Sequence, residues 1–147
     1  MFKRILVATD GSELSSMAVD KAIGLASAVG AELFAIKVVP VQHEAYWDGG
    51  MNHERAAHAK LEAQQTEAAQ AIVAAVKEAA QGTEIKVTPL TVKSVSVADA
   101  IIDSAHQHAC DLIVMASHGR RGLARVLLGS ETQHVLTHTR IPVLVIR

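Results

Sequence analysis

Short apolar segments recur along the chain, and longer stretches with helical spacing separate them. Most of the short segments are continuously apolar, as in "ILVA" at residues 5–8. Continuous apolar runs of this length are typical of strands that are buried on both faces of a parallel sheet. The pattern predicts five strands, which are Ile5–Ala8, Leu33–Val39 ending before Pro40, Ile85–Leu90, Leu112–Ala116 and Val143–Ile146.

Four helix-favouring segments lie between the predicted strands. In the first, apolar residues repeat at helical spacing, and Gly30 stands where a C-terminal cap belongs. Ser96 followed by Asp99 resembles a capping box, which marks the start of another helix. Residues 41–52, which hold the only Trp and Tyr, are predicted to form a loop. The predicted helices are Leu14–Val29, His53–Ala80 ended by Gly82, the segment from Ser96 to about His108, and Ser130–Thr139.

The order of elements, β-α-β-α-β-α-β-α-β, predicts an α/β fold. Strands that alternate with helices form a parallel sheet with helices on both of its faces. Pro89 removes a hydrogen-bond donor from the third strand, so this strand is predicted at an edge of the sheet. A chain of 147 residues is long enough to bury a core of its own, and we expect residues 1–147 to form one domain.

Composition and charge exclude several classes of protein. The formal net charge of −1 favours neither nucleic acid nor an anionic membrane surface as a partner. No apolar run approaches the ~20 residues that a membrane-spanning helix needs, and the first apolar run is too short for a signal peptide. The single cysteine, Cys110, excludes a disulfide within the chain. We therefore expect a cytoplasmic protein without nucleic-acid or membrane partners.

Glycines after the fourth strand indicate where a ligand binds. Gly119 and Gly122 follow the strand, and Gly129 directly precedes the helix that Ser130 opens. Glycine lets a backbone approach a bulky anion closely, because it has no Cβ. A helix N-terminus offers unpaired N–H groups and the positive end of the helix dipole. Strand, glycine loop and helix N-terminus together predict a phosphate-binding site.

These residues carry a resemblance to a known family. The start "ILVATDGSE" and the later frame G-x-x-G, nine residues, G-S/T resemble the ATP-binding branch of the universal stress proteins over the whole chain. The frame falls on Ala116, Gly119, Gly129 and Ser130, with residues 120–128 as the spacer. Alanine replaces the first glycine of the frame, and this replacement is compatible with binding if residue 116 lies in β conformation at the strand end.

The resemblance implies a Rossmann-like sheet of the adenine nucleotide alpha hydrolase-like type, with strand order 3-2-1-4-5. In that order the first and fourth strands flank the point where ligands bind in open α/β sheets. It also implies ATP or ADP as ligand, Mg²⁺ with the nucleotide, and Asp10 beside the ribose or the metal. The implied binding residues are Ala8, Thr9, Asp10, Val38, Met115, Ala116, His118, Gly119, Arg120, Gly122, Gly129, Ser130 and Glu131.

Each of these residues also has a structural interpretation. Asp10 also suits the turn before the first helix, and Val38 suits plain core packing. Gly119 and Gly122 are compatible with an ordinary turn, and Ser130 with a helix cap. The arginines of the loop suit either a phosphate or solvent, and His118 either a phosphate or a structural hydrogen bond. The three arginines are Arg120, Arg121 and Arg125.

Two further features carry weaker signals. His134 and His138 stand four apart, a spacing that suits a metal, but no acidic or cysteine ligand completes a set in the sequence. Surface histidines are the favoured interpretation. Cys110 precedes a buried strand and is interpreted as a small packed thiol.

The favoured function is a nucleotide-dependent stress-response or signalling module with little or no turnover. The alternatives are a slow ATPase or phosphoryl- or nucleotidyl-transfer enzyme on the same fold, and an interaction protein that binds no nucleotide. No P-loop G-x-x-x-x-G-K-[ST] is present. The wholly apolar last strand is predicted at a sheet edge, so we expect a homodimer through residues 142–146. The protein partner is not indicated by the sequence.

Overall fold

The computed structural model describes residues 1–41, 52–119 and 127–147. Within these residues the strands form one parallel sheet in the order β3-β2-β1-β4-β5. The predicted α/β class and the strand order are confirmed. The elements are β1 (Arg4–Ala8), α1 (Glu13–Val29), β2 (Glu32–Pro40), α2 (Asn52–Ala79), β3 (Val87–Ser94), α3 (Val97–Gln107), β4 (Leu112–Ala116), α4 (Ser130–His138) and β5 (Val143–Ile146).

The helices cover both faces of the sheet, and a hydrophobic cluster fills each interface. On one face, α1 and the end of α2 pack on residues such as Val7 and Leu33. On the other face, α3 and α4 pack on the alternate residues, such as Leu6 and Phe34. Because the central strands are buried on both sides, their sequences are continuously apolar.

The edge position of β3 is confirmed, but its predicted bounds, Ile85–Leu90, are wrong. The strand runs from Val87 to Ser94, and Ile85 packs beside the core without joining the ladder. The polar end of β3 pairs with β2 up to Pro40, which the apolar pattern does not reveal. Leu33 N–H donates to Lys86 O, so the backbone groups of the even-numbered residues of β3 face β2. Pro89 is odd-numbered, so its backbone faces away from β2. Its missing N–H therefore lies on the open edge.

Other boundaries differ from the sequence prediction by one residue. β2 includes Pro40, which the prediction placed after the strand. Thr9 N–H donates to Ile36 O, so even-numbered residues of β2 face β1, and β1 has ended before it reaches Pro40. The missing N–H of Pro40 therefore costs no ladder bond. The predicted loop 41–52 is one residue too long, because α2 begins at Asn52; residues 42–51 lie outside the described part of the chain.

Local caps explain where several helices begin and end. Ser12 caps α1, and its side chain accepts a hydrogen bond from Ser15 N–H. Gly30 ends α1 with a φ of 70°, a conformation that glycine adopts without steric cost. Ser96 Oγ accepts from Asp99 N–H as expected for the capping box, whereas Ser96 N–H donates to Ser94 Oγ instead of to Asp99. In the described part of the chain, no helix is long and apolar enough to span a membrane.

Ala109 carries a backbone conformation that disfavours side chains. It lies between α3 and β4 with a φ of 51°, and it is exposed. The left-handed conformation brings Cβ close to the following carbonyl oxygen, which costs about 1–2 kcal/mol for a residue other than glycine. Strain is therefore stored at the α3–β4 connection, and a glycine at this position would remove it.

We expect Ala109→Gly to increase the free energy of unfolding by up to about 1 kcal/mol, after the greater unfolded-state entropy of glycine is counted. Ala28→Gly is the matched control, because Ala28 is also exposed but lies inside α1. That substitution should decrease the free energy of unfolding by about 1 kcal/mol. Urea unfolding of both variants measures the two signs, and a destabilised Ala109→Gly would contradict the analysis.

Candidate functional site

The loops after β1 and β4 meet at one end of the sheet. β1 and β4 are parallel neighbours, with Val7 opposite Val114 near their carboxyl ends. The chain leaves β1 toward α1 on one face, and α4, which follows β4, packs on the other. Between two such strands the loops diverge and leave a crevice, which is where open α/β sheets bind ligands.

Asp10 and Gly119 face each other across this crevice. A Cβ built on Gly119 would lie 2.8 Å from Asp10 Oδ2, so a side chain at residue 119 would displace the carboxylate. The other carboxylate oxygen, Oδ1, accepts a hydrogen bond of 2.9 Å from Ser12 N–H. Asp10 therefore stabilises the turn before α1, as its structural interpretation expects, and also presents a negative charge to the glycine loop.

Thr9 fixes the loop that carries Asp10. Its side chain is buried, and its Oγ1 lies 3.1 Å from Ser15 Oγ in α1. The same oxygen accepts a hydrogen bond from Gly11 N–H. Gly11 itself has a φ of 77°, which makes the tight turn possible. The predicted site residue Thr9 thus shapes the crevice from beneath.

Gly129 brings the start of α4 against the end of β4. Its N–H donates to Ser117 O over 2.7 Å. A Cβ on Gly129 would lie 3.2 Å from His118 Cα and 3.3 Å from Ser117 O, both backbone atoms. The glycine is therefore required by close backbone packing, and this packing brings the N-terminus of α4 to the crevice.

Thr132 is a functional residue that sequence reasoning missed. Its Oγ1 donates a 2.9 Å hydrogen bond to Ala116 O, and its side chain is 2% exposed. The bond ties the first turn of α4 to the last residue of β4. The signal in the sequence was the spacing of Thr132 and Val135, which are three residues apart. In the structure both are buried on the inner face of α4.

The N-terminus of α4 differs from those of α1 and α3. Gly129 is the N-cap, and no side chain in the described part of the chain caps it. Ser130 is the first helical residue and is exposed. The carboxylate of Glu131 points to another helix, where its Oε2 accepts a 2.9 Å hydrogen bond from Ala98 N–H. The first turn of α4 therefore presents backbone N–H groups and the positive end of a helix dipole.

Alanine is compatible with the backbone at residue 116. Ala116 is the last residue of β4 and pairs with Ile146 of β5. Among the described non-glycine residues, a positive φ occurs at Ala109 alone. Ala116, which replaces the first glycine of the motif, therefore has the β conformation at the strand end that compatibility with binding requires.

The apolar site candidates line the base of the crevice or the core beneath it. The side chains of Val38 and Met115 are buried in the cluster under α3 and α4, and Ala8 packs against the same cluster. Val38 therefore takes the core-packing role that was its structural interpretation.

His118 has a partner of its own at the start of the glycine loop. Its Nδ1 lies 3.1 Å from the hydroxyl of Ser117, which is buried, so the structural hydrogen bond is present. Gly119 is the last described residue before the gap. The predicted site residues Arg120 and Gly122, and also Arg121 and Arg125, lie outside the described residues.

His134 and His138 stack on the surface of α4. Their ring centroids are 4.0 Å apart, and His134 Nε2 lies 2.8 Å from Asp99 Oδ1. Hydrogen bonds from Ser96 and His134 hold the pKa of the Asp99 carboxyl below its usual range. Within residues 1–41, 52–119 and 127–147, no group of three His, Cys, Asp or Glu side chains could hold a metal ion.

Cys110 lies apart from the crevice, at the start of β4. The thiol is buried, and desolvation raises its pKa to about 11. Since the thiolate is the reactive form, the raised pKa disfavours reaction of this cysteine at neutral pH. The interpretation as a packed thiol agrees with its burial.

The family of the chain follows from comparison with known proteins. The sequence model of the universal stress protein family matches residues 1–147. The chain belongs to the universal stress protein family. A universal stress protein of Methanocaldococcus jannaschii is 33% identical over 147 residues, which cover 100% of this chain and 83% of the relative. One of Synechocystis is 31% identical and covers 99% of this chain and 98% of the relative.

Solved structures of the family share the fold. The universal stress protein UspA of Lactobacillus plantarum superposes with a TM-score of 0.84 at 26% identity, covering 99% of this chain and 97% of its own. Two more distant universal stress proteins were crystallised with nucleotides. One is in complex with cAMP, with a TM-score of 0.68 at 22% identity and coverage of 99% and 97%. The other, of Archaeoglobus fulgidus, is in complex with dAMP, with a TM-score of 0.61 at 18% identity and coverage of 99% and 98%.

In this universal stress protein, we expect Thr132→Val to decrease the free energy of unfolding by about 1–3 kcal/mol. The substitution keeps the side-chain shape but leaves the buried Ala116 carbonyl without its hydroxyl partner. Thr137→Val is the matched control in the same helix, because Thr137 is exposed and its hydroxyl donates within α4. The control should change the free energy of unfolding by about 0.5 kcal/mol or less. Equal effects of the two substitutions in chemical denaturation would contradict the role given to Thr132.

Proposed function

We propose that the chain is a cytoplasmic, single-domain, nucleotide-dependent module of the stress response, which binds ATP or ADP with Mg²⁺ and has little or no turnover. The observation that carries the proposal is that Asp10 Oδ2 lies where a Cβ on Gly119 would meet it. This proximity brings the glycine loop after β4 and the acidic turn after β1 to a single crevice. The family resemblance implies that both segments belong to one nucleotide site.

The N-terminus of α4 supplies the site for the phosphates in this proposal. Its first turn has no side-chain cap among the described residues, and it is fixed to β4 through Gly129 and Thr132. A helix end of this kind attracts anions through its N–H groups and its dipole. Ser130, as the first and exposed residue of the helix, places a hydroxyl beside the same phosphates.

Asp10 acts on the nucleotide in one of two ways, through the ribose hydroxyls or through the magnesium ion. Its Oδ1 already accepts the Ser12 N–H, and its Oδ2 is the atom that faces Gly119. Mg²⁺ in proteins is held by one or two carboxylates together with phosphate oxygens and water. A single carboxylate at the crevice therefore suits an ion that arrives with the nucleotide.

The comparisons support adenine as the base. The ligands of the two nucleotide complexes in the family, cAMP and dAMP, are both adenine nucleotides. Those proteins share the fold with this chain, which supports an adenine nucleotide as its ligand. Low turnover is proposed because Asp10, the acidic side chain that faces Gly119, is assigned to the ribose or the magnesium ion and not to an attacking water molecule.

Gly119→Ala tests the site with little disturbance of the fold. Residue 119 does not have a positive φ, and within the described residues the new methyl group meets the flexible end of the Asp10 side chain. We expect the dissociation constant for MgATP to rise about tenfold or more, since the carboxylate leaves its position. Calorimetry on the nucleotide-stripped protein measures the change.

Gly24→Ala is the control for this experiment. Gly24 lies inside α1, and a Cβ there meets nothing within 4 Å. The control should stabilise the protein by about 0.5–1 kcal/mol and leave nucleotide affinity unchanged. Absence of binding by the unmutated protein would refute the proposal, and so would phosphate release at or above the median enzyme rate of ~10 s⁻¹.

We propose in addition that two copies associate through residues 142–146. Ile113 N–H donates to Pro142 O and Ser117 N–H donates to Ile146 O, so even-numbered residues of β5 face β4. The backbone groups of Val143 and Val145 therefore face away from the sheet. Leu144 is 38% exposed on this strand. An apolar edge with outward N–H and C=O groups suits antiparallel pairing with its own copy about a two-fold axis.

The direction of these backbone groups gives a sharp test of the dimer. Val145→Pro removes an N–H that faces the open edge, so we expect a monomer with an intact fold. Leu144→Pro removes an N–H that faces β4 and should unfold the edge of the sheet instead. Sedimentation equilibrium measures assembly, and circular dichroism measures folding. A dimer that persists in folded Val145→Pro, or a monomeric parent protein at micromolar concentration, would refute the proposed interface.

A further inference from the structure

The carboxylate of Glu131 links the N-termini of two helices. Glu131 lies in the first turn of α4, directly after Gly129 and Ser130. Its Oε2 accepts a 2.9 Å hydrogen bond from Ala98 N–H, which lies in the first turn of α3. Both helices pack on the same face of the sheet. The contact therefore joins the proposed phosphate site to a helix that is distant in the sequence.

An acidic side chain in this position would ordinarily act on its own helix. Negative groups in the first turn of a helix are attracted to its N–H groups and its dipole. Such a carboxylate would compete with a phosphate for the N-terminus of α4. In this protein α3 holds the carboxylate away, although Ser96 already caps α3 by accepting from Asp99 N–H. The N-terminus of α4 is left to other acceptors.

Three contacts fix the first turn of α4. Gly129 N–H and the Thr132 hydroxyl bind the end of β4 on the inner side of the helix. Glu131 binds α3 on the outer side. Because Glu131 carries both a first-turn N–H and the carboxylate that reaches Ala98, a shift of this turn would break the contact with α3.

We propose that Glu131 is a positioning residue of the nucleotide site, which holds the first turn of α4 in place through α3 and keeps its own carboxylate out of the phosphate position. This inference rests on the proposed nucleotide binding. Its consequence is reciprocal coupling: a nucleotide on α4 strengthens the Glu131–Ala98 bond, and the bond strengthens nucleotide binding by the same factor.

Two uncharged variants of Glu131 distinguish the effect of its contact with α3 from the effect of its charge. Glu131→Gln removes the charge but keeps an oxygen that accepts the Ala98 N–H. Glu131→Ala removes both. Since neither variant repels phosphate, their difference measures the contact with α3 alone. We expect Glu131→Ala to bind MgATP about fivefold or more weakly than Glu131→Gln, the change that loss of one hydrogen bond gives. Calorimetry on the full, nucleotide-stripped chain measures both.

Asp99→Ala is the control that breaks the other contact between these helices. Asp99 Oδ1 binds His134 Nε2, which lies beyond the first turn of α4. Nucleotide affinity should stay within about twofold of the parent, as expected for a substitution without a partner in the site. A second measurement, hydrogen exchange of the Ala98 amide, should slow when MgATP binds to the parent and not when it binds to Glu131→Ala.

The outcomes distinguish this inference from the proposed function. A parent protein that binds no MgATP refutes the proposed function, and the inference with it. A parent that binds, with equal affinities in Glu131→Ala and Glu131→Gln, overturns the inference and leaves the function standing. An exchange rate of the Ala98 amide that does not change when MgATP binds to the parent overturns the inference as well. Thermal unfolding of each variant confirms that affinities are compared between folded proteins.

Discussion

The parallel pairing of β1 with β4 is the constraint on which the rest of the structure depends. These strands are separated by about a hundred residues, yet Ile5, Leu6 and Val7 pair with Leu112, Ile113 and Val114 in register. The pairing places both strands at the centre of the sheet, where each face is buried under helices. It also sets the loops that follow them on opposite sides of a single crevice. Every candidate site segment takes its position from this register.

Among the described residues, close backbone approach shapes the crevice. Gly119 leaves room for Asp10, and Gly129 leaves room for the backbone of Ser117 and His118. The polar atoms beneath are used internally: Thr9 binds Ser15, and Thr132 binds Ala116 O. In the described part of the chain, buried side-chain nitrogen and oxygen atoms all have partners. The described residues beneath the crevice are thus held by bonds within the protein, and such preorganisation lowers the entropy cost of binding a ligand.

Local signals in the sequence predicted the α/β class, and the family resemblance implied the strand order 3-2-1-4-5, which the structure has. Continuous apolar runs identify central strands, Pro89 identifies an edge, and glycines at fixed spacing identify the loop after β4. The end of β3 at Ser94 was not predicted. The polar residues at this end join the sheet through backbone hydrogen bonds, which a pattern of apolar residues does not reveal. The buried bond of Thr132 and the reach of Glu131 to Ala98 join residues far apart in the chain. Such contacts exist only after the helices have packed.

Pro89 lies on β3, at the edge of the sheet opposite to β5. Its position therefore affects how copies of the chain can associate through this second edge. The open side of β3 lacks a donor at Pro89, the third residue of the strand, whereas the open side of β5 presents the N–H groups of Val143 and Val145. Growth of a continuous sheet from molecule to molecule requires two receptive edges on every copy. In a dimer paired through β5, as proposed above, the edges that remain open are the two β3 strands, and each is interrupted at Pro89. The missing N–H of Pro89 costs no bond within the sheet, and it disfavours the addition of a further strand at this edge.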